Sequence, residues 1–256
     1  MRDKTLKYVL VLPAVVVVFA TAVWPLLYSL LLSLRTWKLS TSNTPGGFVG
    51  LENYQQALET ANFINAVLKT LLYVGMTVGL TTVLALMLAL LLSKGGWFRR
   101  TVQTLLILPF AMSPALVGVS WRFMFNPEFG LFAALFGVVF PPLAGINWLA
   151  TPELAFTALV MADVWAWTPF MTLVLIGGLA AVPRDTIEAA SVDGASSLRT
   201  VFEIIIPQLI PVLAVVLILK TIFSMKAFDI IFMLTQGGPG TATQTLVYHA
   251  YLNGFK

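Results

Sequence analysis

The stretch TLLYVGMTVGLTTVLALMLALLLS, residues 70–93, carries no Asp, Glu, Lys or Arg between Lys69 and Lys94. At a rise of about 1.5 Å per residue a helix of that length crosses a hydrocarbon core of about 30 Å. Working outward, Tyr8 to Leu34 and Thr101 to Trp121 are equally free of charge. Another run extends from about Leu154 to Val182, interrupted by Asp163, and a last one from about Gln208 to Leu234 carries Lys220, Lys226 and Asp229. Hydrocarbon satisfies no backbone N–H or C=O, so each run must be a helix with internal hydrogen bonds. The prolines at 13, 25, 109, 114, 169 and 211 fit, since membrane helices tolerate kinks that neighbours repair.

Composition agrees. Of 256 residues, 59% are hydrophobic and 10% charged, against roughly 25% charged in soluble domains. With no cysteine, disulfides, thiol catalysis and cysteine-ligated metals are excluded, and a single histidine, His249, leaves no basis for a histidine metal or catalytic cluster. The net charge of +4 does not point to nucleic acid, because most basic residues sit in short stretches between apolar runs. The expectation is an all-α, polytopic transmembrane bundle forming one domain over residues 1–256, with five spans in view.

Two stretches need separate reading. The first helix opens with Arg2, Lys4 and Lys7 and contains Ala20-Thr21-Ala22, which resembles a signal-peptide cleavage site. A signal-peptide core is about 7–15 residues; here apolar sequence continues to Leu34, so a retained helix is expected. The uncharged region from Phe129 to Pro152 has a continuous apolar part only from Leu131 to Phe140, stopped by Pro141-Pro142. That length suits an interfacial or re-entrant segment, and residues 126–153 are expected to lie on the extracytoplasmic side. A cytoplasmic N-terminus puts Arg2, Lys4, Lys7, Lys94, Arg99, Arg100, Arg184 and Arg199 inside, densely placed. Arg35, Lys38, Lys69, Arg122 and Lys256 are then outside, scattered along longer loops.

Residues 183–207 are too polar for an ordinary short connection. Pro183 suits a first helical turn, Asp185 with Glu188 resembles a capping box, and Gly194 can take positive φ and end the helix. Ile187, Ala190 and, less well, Val192 make an apolar face, and Ser196 or Ser197 can cap a second short helix leading to Pro207. The expected object is a helix–turn–helix lying flat on the membrane, with Glu188 and Asp193 open to a partner. From the residues alone, a solvated amphipathic linker remains an alternative.

The spacing Glu188-Ala189-Ala190, Gly194, Ile204, Ile206-Pro207 resembles the EAA signature of inner-membrane permease subunits of binding-protein-dependent ABC importers. That family usually has Leu where Ile206 stands. Gly50-Leu51-Glu52-Asn53-Tyr54, Pro109, Trp165 with Pro169-Phe170, and Leu234-Thr235-Gln236-Gly237-Gly238-Pro239 with Thr245 are similar to the carbohydrate-uptake branch, its MalF/UgpA-like subunit in particular. The resemblance covers essentially the whole chain. It implies a type I importer permease fold with a sixth span beyond Lys256, so that this sequence is C-terminally truncated. It further implies a second homologous permease subunit, two ATP-binding subunits, an extracytoplasmic solute-binding protein and a sugar or related solute. Glu188, Ala189, Ala190, Asp193, Gly194 and Pro207 would form the coupling surface toward the ATPase, with Glu188 pairing a basic group there and Gly194 allowing the turn. The chain has no Gly-Lys pair and therefore no phosphate-cradling loop. It is expected to be no enzyme and to bind no cofactor or metal, with ATP and Mg held by the partner subunits in a bacterial or archaeal cytoplasmic membrane.

Charges at bilayer depth are functional candidates. Asp163 lies roughly 14 Å from the outer end of its helix and Lys220 roughly 18 Å from the inner end of its own, so the two sit at similar depth and are expected to pair. Structural pairing and direct solute contact both remain open. Trp165, Trp167, Trp121 and Phe170 offer aromatic faces to a sugar ring, or lipid and packing contacts instead. Lys226 and Asp229, three apart on one expected helical face, either border the pathway or order the Gly237-Gly238-Pro239 turn. Arg122, Lys220 and Lys226 are the nearby cations and do not select phosphate over neutral sugar. An ion-gradient-driven secondary transporter using Asp163 is the alternative, although it has no use for the segment from Glu188 to Pro207.

Overall fold

The computed structural model describes residues 2–38, 42–93, 96–139 and 145–255. Lys94, Phe140, Pro141, Pro142 and Lys256, all used above, lie outside them. The chain divides into two compact units, Met1–Ile64 and Asn65–Lys256.

In the first unit, α1 (Arg2–Val18) and α2 (Trp24–Ser33) are joined by a π-helical turn at Phe19–Val23. Pro25 lies two residues after that turn; its missing N–H and ring clash break the regular ladder, and a widened turn absorbs the break. Lys7–Ser33 has the length and composition of a span. A short bridge pairs Arg35 with Phe48, and α3 (Glu52–Glu59) follows. The Asn53 side-chain amide donates to Ser33 O at 2.8 Å and Arg35 O at 2.9 Å. Late carbonyls of a helix lack intrahelical partners, so Asn53 closes the end of α2. Ser33 Oγ and Tyr54 OH meet at 2.6 Å beside it. The Gly50-to-Tyr54 motif is thus a stop for the first span.

The longest helix, α4 (Ala61–Ser93), is a second candidate span. Its buried positions, Ala66, Thr70, Tyr73, Thr77, Thr81, Ala85, Ala89 and Leu92, recur every three or four residues and make one stripe, mostly of small side chains. Helices in lipid associate through such small residues because packing replaces the hydrophobic drive. Thr70 and Thr77 return their hydroxyls to the carbonyls four residues earlier, at 2.7 and 2.8 Å.

The third uncharged run is not one straight helix. It forms α5 (Trp97–Ala111) and α6 (Pro114–Met124), bent by 98° at the break. Met112 and Ser113 are extended; Ser113 is pushed out of the α region because it precedes Pro114. Ser113 Oγ then accepts Leu116 N at 3.3 Å and caps α6. Beyond α7 (Leu131–Val139) comes α8 (Pro152–Ala180), the most deeply buried of the long helices, which packs against α5 and α6.

α9 (Arg184–Val192) and α10 (Ser197–Thr200) lead through a π-helical turn at Val201–Ile205 into α11 (Ile206–Met225). Ser197–Met225 is the fourth candidate span, also packed on α8. The fifth apolar run therefore ends as a helix at Met225 rather than reaching Leu234; α12 (Asp229–Leu234) starts anew and packs on α6. α13 (Leu246–Phe255) closes the described chain. Among the described residues four helices are long and apolar enough to cross a membrane, or five if the bent α5–α6 pair counts as one span.

Candidate functional site

Two regions of the larger unit gather the polar residues. One lies among α5, α6, α8, α11 and α12. There the Lys220 ammonium donates to the Asp163 carboxylate, and both side chains are almost fully buried. Lys220 Nζ also stands 5.0 Å from the centre of the Trp167 ring, within reach of a cation–π attraction. One turn beyond Lys220, Ser224 Oγ meets Thr77 Oγ1 at 3.1 Å and ties α11 to α4.

Beside this pair opens a cavity of about 360 Å³. Asp163, Trp167, Lys226 and Asp229 line it, together with Phe110, Phe228 and the break at Pro109–Pro114. Asp163 therefore faces two ways, to buried Lys220 and to the cavity, so the pairing and the solute-contact readings are compatible. Trp167 does the same: it takes Lys220 on one face while Phe223 packs at 4.7 Å and Phe110 at 5.9 Å.

Trp165 is not part of this cavity. Residues two apart on a helix point to different sides, and Trp165 meets Trp121 edge-on at 5.7 Å instead. Lys226 and Asp229 do not share a helical face either. Lys226 ends α11 and Asp229 begins α12, and no ion pair joins them among the described residues; the cavity is what brings them together. Nor do they hold the glycine turn. Thr243 does, its hydroxyl donating to Gly238 O at 2.9 Å and lying 2.7 Å from Thr235 Oγ1, its N–H bonded to Gly237 O at 3.1 Å. Gly237 has φ +78°, and a Cβ there would come within 2.5 Å of the Tyr248 ring. Leu246 N donates to Thr70 Oγ1 at 2.7 Å, joining the turn to α4. Burial raises the Tyr248 phenol above its ordinary value and nearby Tyr251 adds to this. The threonines at 241, 243 and 245 were a legible polar cluster after Gly-Gly-Pro, whereas nothing local marked Phe110, Phe223 or Phe228 as neighbours of Trp167.

The second region is the 183–207 connection. α9 begins after Pro183 without a side-chain cap, so the Asp185–Glu188 capping box does not form, and Asp185 sits in the first turn. There its charge suits the positive helix end. Gly194 has φ +78°, which glycine adopts without the penalty of a side chain. Ser196 Oγ accepts Arg199 N at 3.3 Å and starts α10. Ala190 is buried and Ile187 half-buried, but Val192 is 87% exposed and does not belong to the inner apolar face. Glu188, Ala189 and Asp193 are exposed, and Leu198 at 72% and Phe202 at 66% join Val192 on the outside. Pro207 lies in the first turn of α11, after the π-helical turn.

Residues 81–254 match the family described as "Binding-protein-dependent transport system inner membrane component". The trehalose/maltose transport system permease protein MalF of Thermococcus litoralis is 38% identical, over 98% of this chain and 83% of that protein. The sn-glycerol-3-phosphate transport system permease protein UgpA of Rhizobium meliloti is 35% identical, over 99% of this chain and 85% of its own length. In three dimensions the chain is similar to one from a bacterial ABC transporter involved in the import of the acidic polysaccharide alginate, with a TM-score of 0.83 at 20% identity, covering 99% of this chain and 85% of that one. The overall fold is thus that of a solved ABC transporter chain, and the chain belongs to the inner membrane components of binding-protein-dependent transport systems.

Proposed function

We propose that this permease subunit forms part of the path of a sugar or related solute and is driven by ATP hydrolysis in a separate subunit. The observation that carries the reading is the helix–turn–helix of α9 and α10. It presents Glu188, Asp193, Val192 and Leu198 outward together, an acidic and apolar surface of the kind a protein partner covers. With no phosphate-cradling loop in the sequence, ATP and Mg belong to that partner, and this chain holds neither cofactor nor metal.

The assembly is a second similar permease, two ATP-binding subunits and an extracytoplasmic solute-binding protein, in a cytoplasmic membrane with the N-terminus inside. Glu188 pairs with a basic group of the ATPase, and Ala189, Ala190 and Gly194 keep the turn compact enough to enter its groove. Pro207 passes movement of the turn into α11, whose Lys220 borders the cavity through Asp163. Nucleotide state and solute access are then linked by a coupling free energy between distant sites. Asp163, Trp167, Lys226 and Asp229 supply the polar and aromatic contacts along the path; Trp165 with Trp121 supports the bundle beside it.

The test is co-purification from membranes expressing the whole system. Glu188→Lys removes one partner of a desolvated charge pair, a loss of roughly 2–5 kcal/mol, and is expected to strip the ATPase subunit while the permease stays in the membrane. Gly194→Val is expected to do the same by straining the turn. Full retention of the ATPase in both variants would overturn the coupling role, and uptake driven by an ion gradient without ATP would place the chain among secondary carriers.

A further inference from the structure

The α9–α10 turn has an inner side as well as the outer one. Between it and the end of α4 lies a groove of about 530 Å³. α4 supplies Met87, Leu91 and Ser93 to its lining, and the connection supplies Ile187, Ser191 and Ser197. Resting on the reading of this turn as cytoplasmic and as the ATPase contact, we infer that the groove holds one phospholipid of the inner leaflet. Its acyl chain lies along Met87 and Leu91, and its phosphate oxygens meet the serine hydroxyls.

Position decides against a soluble occupant. Met87 and Leu91 belong to the uncharged run of a candidate span, and they are 55% and 67% exposed. Met87 precedes Ser93 by six residues, which at the helical rise puts it about 9 Å deeper in the membrane, beyond the reach of a water-soluble subunit. Lipid that covers this side of α4 continues into the groove without leaving hydrocarbon. The chemistry agrees. Among the described residues, no Asp, Glu, Lys or Arg lines the groove, so it offers no charged pair to a protein. A mainly apolar lining with a few polar groups suits an amphiphile. Ser93 Oγ already donates to Leu90 O at 2.7 Å. The Ser191 and Ser197 hydroxyls make no hydrogen bond among the described residues, which leaves two O–H donors for phosphate oxygens, strong acceptors. The same topology puts the arginines at 99, 100, 184 and 199 on this side, where basic residues attract anionic headgroups. α9 divides accordingly: Ile187 and Ser191 share its inner face and Glu188 and Val192 its outer one, each pair four residues apart. The lipid backs the turn on the side opposite the ATPase.

The experiment places the photo-crosslinking residue p-benzoylphenylalanine at position 191 or 192 of the whole transporter in native membranes, and mass spectrometry identifies the adducts. The probe at 191 is expected to carry a phospholipid, and the probe at 192 to capture the ATPase subunit. Native mass spectrometry after delipidating purification then counts retained lipid. One phospholipid is expected on the wild type and on Leu84→Trp, which alters α4 outside the groove. Ala195→Trp, which fills the groove, is expected to lose it. Ser191→Ala with Ser197→Ala, a change too small to unfold the turn, is expected to lower the retained fraction about tenfold, the scale of hydrogen bonds to a charged group. A protein adduct at 191, or no lipid adduct there, overturns the site. A lipid adduct with equal retention in all variants shows annular lipid only and overturns it too. A probe at 192 that captures no ATPase overturns the coupling role and leaves the lipid site standing.

Discussion

Lys220 and Asp163 are separated by 57 residues in sequence and joined inside the bundle. Burying two charges costs more than their attraction returns unless each keeps its partner. Lys220→Met alone leaves an uncompensated carboxylate and is expected to cost about 3–5 kcal/mol. Asp163→Asn with Lys220→Met removes both charges and should recover most of that loss. Thermal unfolding in detergent measures both; additive losses would refute the pair as a unit. That the two lie at one depth could be counted from helix length, because rise per residue is fixed. That Trp167 rather than Trp165 shares their site could be inferred only once the rotation of α8 was known. Asn53 shows the reverse case: the motif was visible as letters, but its use, holding Ser33 O and Arg35 O, depends on chain folding back through residues 35–51.

Among elements, the close pairing of α6 with α12 is the most exacting contact. A Cβ on Gly118 would lie 2.8 Å from Met233 Cβ and 3.1 Å from Ile230 O, so only a bare backbone fits. Gly118→Leu is expected to force the helices apart at about 1–3 kcal/mol, seen as a lower melting temperature and a distorted cavity, since Ile230 lines it. An unchanged melting temperature would mean that α12 moves freely on α6. Pro109 and Pro114 fitted a kink within one helix, and the absence of charge from Thr101 to Trp121 reads as one span, because hydropathy reports burial in lipid and not direction. Likewise the run from Gln208 to Leu234 hid a helix end at Met225. Lys226 and Asp229 each sit where a helix end suits their charge, a reason for their positions that no periodicity contains.

For the whole molecule, the α9–α10 turn is expected on the cytoplasmic face. The chain has no cysteine, so Ser196→Cys supplies a single label site. A membrane-impermeant maleimide should label it in inverted vesicles and not in intact cells; labelling from outside would reverse the topology. The spans were legible because lipid imposes a single demand, apolar length with internal hydrogen bonds, and that demand is written locally in every run. The turn at Gly194 was legible too, since a positive φ needs glycine. The cavity was not. Its walls come from residues 109 to 230, and which faces of α5, α6, α8, α11 and α12 meet there follows from packing between helices, from one 98° bend and from one buried ion pair. Those terms act between residues far apart along the chain, so no local pattern of apolar and polar letters carries them.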